Sequence, residues 1–113
     1  MNDILSLALS TMLKTAIVGE WSYIGECNSE RRVFTSTGNF FILEKKKGEW
    51  KNKATYVYSI NDVVIQIGEP NSDVLFKMKA ESMTLSSLKF CNLNEDFSWD
   101  CDMKFYYEKC EAR

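Results

Sequence analysis

The feature that most constrains this chain is a series of short runs, starting at Gly19, in which apolar and polar residues alternate and turn residues break the pattern. Trp21–Ile24 is the first run, opened by Gly19-Glu20. Arg31–Thr35 follows, then a turn at Ser36-Thr37-Gly38-Asn39. Phe40–Lys45 leads to Lys46-Lys47-Gly48, and Trp50–Ile60 leads to Asn61-Asp62. Val63, Ile65 and Ile67 share the next face, and Pro70-Asn71-Ser72-Asp73 ends it. A period of two marks strands with one buried face. Gly, Pro, Asn and Asp supply the turns between them. The cleanest alternations set Val74, Phe76, Met78 and Ala80 against Leu75, Lys77 and Lys79, and Met103, Phe105 and Tyr107 against Lys104, Tyr106 and Glu108. Met83 and Leu85 differ in parity from Leu88 and Phe90, which predicts a β-bulge at Ser86-Ser87. Arg31 and Arg32 are neighbours on a strand and therefore point to opposite faces, where one of them can reach an acidic residue.

This pattern predicts a mainly β fold: a small up-and-down antiparallel β-barrel of about eight strands. Closure removes the two exposed edges that an open sheet would leave. A β-sandwich is the alternative, but it needs longer crossing connections than these short turns provide. The expected organisation is one domain, with an amphipathic helix over residues 1–18 and the barrel over 19–113. In the first segment Leu5, Ala8, Leu9, Met12, Leu13 and Ala16 fall at helical spacing, with Asn2 or Asp3 as N-cap. Asp3 and Lys14 make it a poor signal peptide, and it is too short and polar for a transmembrane segment.

Composition narrows the function. The chain has 113 residues, no histidine and a formal net charge of −2. Lack of histidine removes the commonest general base and the usual nucleophile pairs, and the acids fall mostly on turns, so no catalytic residues and no enzyme activity are expected. The charge balance gives no footprint for nucleic acid. No cofactor or metal is expected either: Glu95, Asp96, Asp100 and Asp102 do not have EF-hand spacing. Lys45-Lys46-Lys47 reads as a solvated hairpin tip.

Four cysteines, Cys27, Cys91, Cys101 and Cys110, suggest two disulfides and an oxidising compartment. The expected location is periplasmic or secreted, with the export signal outside this sequence; reduced cysteines would instead fit the cytoplasm. The barrel topology gathers Cys27, Cys91 and Cys101 at one rim. That favours Cys91–Cys101 or Cys27–Cys101 and sets Cys110 at the opposite end unless the tail folds back.

Taken in order, Gly19-Glu20-Trp21, Phe34 with Gly38-Asn39-Phe40, Gly48-Glu49-Trp50, and Tyr58 through Ile65 resemble the lipocalin-like families, especially short bacterial lipocalin-like domains. The resemblance covers roughly Gly19 to Phe90. The chain is shorter than a full lipocalin and lacks the Thr-Asp-Tyr motif. Its nearest counterpart to the family's late Arg over the first-strand Trp is Lys104.

The resemblance implies a non-enzymatic binding protein holding a small apolar ligand. The ligand-binding candidates are Tyr23, Phe34, Tyr56, Tyr58, Phe76, Met78 and Phe105, with Ile65 beside them and Trp21 as a plug at the base. The same large residues could simply fill the core. Tyr56 and Tyr58 call for a wet pocket or a rim to satisfy their hydroxyls. The alternative function is an exported protein-binding module of inhibitor, immunity or adaptor type. It would use Phe97 and Trp99 in the loop framed by Cys91 and Cys101; folding of both rings back over a barrel end is the competing reading. Oligomeric state is not legible.

Overall fold

The computed structural model describes Leu9 and residues 11–70, 74–102 and 105–113, with backbone alone at 74 and 75. Nine strands follow one short helix, α1 (residues 11–16). The strands are β1 (Gly19–Tyr23), β2 (Glu30–Phe34), β3 (Asn39–Lys46), β4 (Glu49–Asn61), β5 (Val64–Gly68), β6 (Val74–Met83), β7 (Ser87–Leu93), β8 (Trp99–Asp100) and β9 (Tyr106–Lys109).

From β1 to β7 each strand pairs antiparallel with the next, and β9 returns to pair with both β7 and β1. The sheet is therefore a ring. β8 pairs with Asn92 and Leu93 while β9 pairs with Ser87–Lys89, so the two lie end to end along β7 as one interrupted strand. The expected N-terminal helix is described only in its later part; Leu5 and Ala8 lie outside the described residues, as does the turn at 71–73. Of the expected final strand, Met103 and Lys104 also lie outside them.

The turns follow from local chemistry. Lys47 and Gly48 both take positive φ, 53° and 80°, which suits the two-residue hairpin between β3 and β4. The expected bulge at Ser86-Ser87 is instead a hairpin turn. Thr84 N donates to the Ser87 carbonyl at 2.8 Å, and Thr84 Oγ1 accepts from the N–H of Ser86 and Ser87. A threonine hydroxyl mimics a turn carbonyl, so the chain reverses and the parity changes with it. The actual irregularity between β6 and β7 falls at Ala80–Ser82.

Register shows which side chains share the ring interior. Trp21 faces Arg32 and Lys109 across its two neighbours, and Tyr23 faces Tyr107. Phe34 faces Phe40, and Phe40 faces Tyr56. Ile65 and Ile67 face Met78 and Phe76. One end of this interior is closed by the helix. Leu13 and Ile17 are fully buried against Trp21, and the Trp21 indole N–H donates to the Ile17 carbonyl at 2.8 Å. The cation over the Trp21 ring is Lys109, 4.9 Å from its centroid; Lys104 lies outside the described residues. Lys109 Nζ also donates to the carbonyls of Ala16 and Val18 at 3.2 and 2.9 Å, where a cation suits a helix C-terminus. A Cβ on Gly19 would lie 2.7 Å from the Lys109 chain, so the glycine makes room for this contact.

The disulfides are Cys27–Cys110 and Cys91–Cys101. The second is one of the expected pairs. The first replaces Cys27–Cys101, because the chain after β9 continues beside β1 (Cys110 N donates to the Glu20 carbonyl at 2.8 Å) while the loop after β1 folds back along the outer face. That loop buries Ser22 and Arg31. Arg31 Nε donates to the Cys27 carbonyl at 2.7 Å, and its Nη1 to the Glu111 carbonyl and to Glu20 at 3.1 Å.

Candidate functional site

A cavity of about 380 Å³ lies within the ring. β1 to β3 line it with Tyr23, Arg32, Phe40 and Ile42. β6 contributes Phe76, Lys77 and Met78, β7 contributes Phe90, Asn92 and Leu93, and β9 contributes Tyr107. Most of this wall is aromatic or aliphatic, the composition and size expected of a small-ligand site. Nothing from β4 or β5 reaches it. On that side Phe34, Phe40 and Tyr58 pack ring against ring, with centroids 4.8 and 5.1 Å apart, and fill the space.

Arg32 is the polar centre of the wall. Its side chain is 16% exposed and its Nη2 lies 2.8 Å from Glu30 Oε1. The guanidinium sits over the rings of Tyr23 and Tyr107, at 4.8 and 5.7 Å from their centroids. Glu30 also lies 3.5 Å from Lys53. The Tyr107 phenol is raised far above its usual range, chiefly by burial, although the Arg32 charge opposes the shift. It therefore stays neutral at physiological pH.

Three residues singled out from the sequence, Tyr23, Phe76 and Met78, line the cavity. Phe34 and Tyr58 belong to the filled side instead. Tyr58 does not use a wet pocket: its hydroxyl donates to the Thr35 carbonyl at 2.6 Å, beside the turn between β2 and β3. Tyr56 packs against Phe40 at 6.1 Å, and Phe105 stacks on Phe90 at 5.7 Å, both outside the wall. Ile65 and Trp21 are fully buried core residues. Sequence reasoning missed the other lining residues, Arg32, Phe40, Ile42, Lys77, Phe90, Asn92, Leu93 and Tyr107. Parity alone could have found Arg32, because it shares the inward face with Phe34.

The loop between Cys91 and Cys101 splits its two aromatics. Phe97 is 83% exposed at positive φ, 66°. Trp99 is half-buried in β8 beneath Lys79, whose Nζ lies 5.2 Å from its ring. The turn is held by Asn94 N donating to the Ser98 carbonyl at 2.8 Å, and by Ser98 donating to the Asp96 carboxylate. Ser98's hydroxyl, then its N–H, hold the Asp96 carboxyl below its usual range.

Among the described residues, one cluster has metal-ligating atom types in range of one another, Glu81 with Cys91 and Cys101. Its sulfurs are joined in a disulfide, so neither is available as a thiolate ligand. No helix among the described residues is long and apolar enough to cross a membrane. The two disulfides fit an oxidising compartment. No family model matches the chain, and no curated protein matches it.

Proposed function

We propose that the chain is a small lipocalin-like β-barrel, periplasmic or secreted, that binds a small and largely apolar molecule without transforming it. The observation that carries this reading is the cavity of about 380 Å³, walled mainly by aromatic and aliphatic side chains inside a closed ring. Lys109 over Trp21 supports the family resemblance, because it gives the first-strand tryptophan the cation that the family supplies with arginine. The test is titration with the neutral fluorophore N-phenyl-1-naphthylamine. Saturable binding by the native protein, and its loss in Ile42→Trp with an unchanged unfolding midpoint, is the expected result. Absence of binding to the native protein by this or any other apolar probe would overturn the reading.

The exposed Phe97 favours a second reading, an exported protein-binding module of inhibitor, immunity or adaptor type. An aromatic ring held outward on a disulfide-framed hairpin is a preorganised anchor. Its expected signature is a stoichiometric complex with one exported protein that Phe97→Ser abolishes. Equal binding by native protein and variant would remove Phe97 from that role.

A further inference from the structure

Resting on the cavity reading, we infer that the cavity selects an anionic amphiphile, a molecule with a short apolar tail and a single negatively charged head that Arg32 takes up. The fully charged residues on the wall are Arg32 and Lys77, and both are cationic. Arg32 uses one of its terminal nitrogens on Glu30. Its planar fork carries five donors, so capacity remains for a second oxygen acid. Glu30 itself does not line the cavity, and it retains Lys53 at 3.5 Å. Acids on neighbouring strands include Glu30, its cross-strand neighbour Glu44, and Asp100 opposite Asn92. Of these, Glu44 has Lys46 at 3.9 Å, and Asp100 accepts the Asp102 N–H at 3.2 Å.

Around the guanidinium the wall is apolar. Phe40, Ile42, Met78 and Phe90 offer a tail no hydrogen bonds, while Asn92 and Tyr107 place an amide and a phenol near the same space. A guanidinium at a mostly apolar wall discriminates by charge, because a charge-assisted pair to an oxygen acid is stronger than a hydrogen bond to a neutral head and a cationic head is repelled.

Calorimetric titration with decanoate, decanol and decylammonium separates the possibilities. Decanoate is expected to bind about tenfold or more tightly than decanol, equivalent to ~1.4 kcal/mol, and decylammonium more weakly than either. Arg32→Met is expected to bring decanoate down to the level of decanol without weakening decanol. Arg32→Lys is expected to keep part of the preference, since it keeps the charge and loses the fork. If decanol binds the native protein as well as decanoate does, the cavity reading stands and the anion preference falls. If none of the three binds, both fall. Should Arg32→Met fail to fold, the native ratio and its decline with added salt decide the matter.

Discussion

The two ends of the ring are built from the same kinds of residue and reach opposite results. At the helix end, Leu13, Ile17, Trp21 and Phe34 are buried together, and the one polar side-chain atom among them, the Trp21 indole N–H, is taken up by the Ile17 carbonyl. At the other end, Tyr23, Phe40, Phe76 and Phe90 are as large, yet about 380 Å³ stays open between them. What differs is the polar content of the wall, where Arg32, Lys77 and Asn92 line the open end. Arg32 lies over the rings of Tyr23 and Tyr107, which themselves meet edge to face with centroids 5.0 Å apart, and it holds the Glu30 carboxylate. The polar groups of the interior are gathered where the space is, and the side chains that plug the helix end are apolar apart from the Trp21 N–H.

The strongest way to break this contrast is Trp21→Ala, which removes the plug's largest side chain. It is expected to cost about 3–5 kcal/mol in urea unfolding; a loss under ~1 kcal/mol would mean that the helix end is not the stability centre. The disulfides come next. Cys27–Cys110 spans 83 residues and Cys91–Cys101 spans 10. Chain-entropy reasoning gives about 4.5 and 2.7 kcal/mol for their removal as paired Cys→Ser variants. Reversal of that order would show that the native state, not the unfolded one, sets their contribution.

The neighbouring arginines sharpen the comparison further. Arg31→Met leaves the carbonyls of Cys27 and Glu111 without this donor, while Glu20 keeps Arg113 at 2.9 Å. It is expected to cost about 2–4 kcal/mol. Arg32→Met opens no such gap, since Glu30 keeps Lys53, and is expected to cost ~1 kcal/mol or less. Similar losses for both would erase the distinction between clamp and lining.

The smallest effect concerns pH. Tyr107 has its folded pKa raised above the ordinary 10.0. The unfolded chain therefore releases this proton first as pH rises, and the folded state loses stability above about pH 10. Below that value the group contributes no pH dependence. Tyr107→Phe is expected to flatten the alkaline limb of a stability profile measured between pH 8 and 11, and an unchanged limb would assign it to other groups.

Much of the ring was legible in the sequence. Alternation in β1 to β6, the Lys47-Gly48 turn and the burial of Trp21 all depend on local pattern, and period and turn chemistry carry them; the turn expected at Asn61-Asp62 falls one residue later, at Asp62-Val63, with Asn61 still paired to Val64. The site was less legible for a physical reason. Whether an inward ring lines a space or fills it depends on what meets it from strands far away in sequence. Phe34 and Phe40 have the same parity, yet Tyr58 covers one side of that pair while the other faces the cavity. Cys27–Cys110 was missed for the same kind of reason, because it depends on the β1–β2 loop folding outside the sheet. The reversal at Thr84–Ser87 was misread because a threonine hydroxyl does there what glycine or proline usually announces.

The ring closes through its two most distant strands, with Trp21 seated opposite Lys109. A chain emerging from the ribosome therefore has no finished container until its last strand arrives. Until then β1 and β7 stand with unpaired edges, open to other chains. Nearly all the sheet can form by adding neighbouring hairpins, but the final step joins remote segments and is the slow one. The cavity and the last backbone seam come into being in the same event, so a chain cut before β9 has neither.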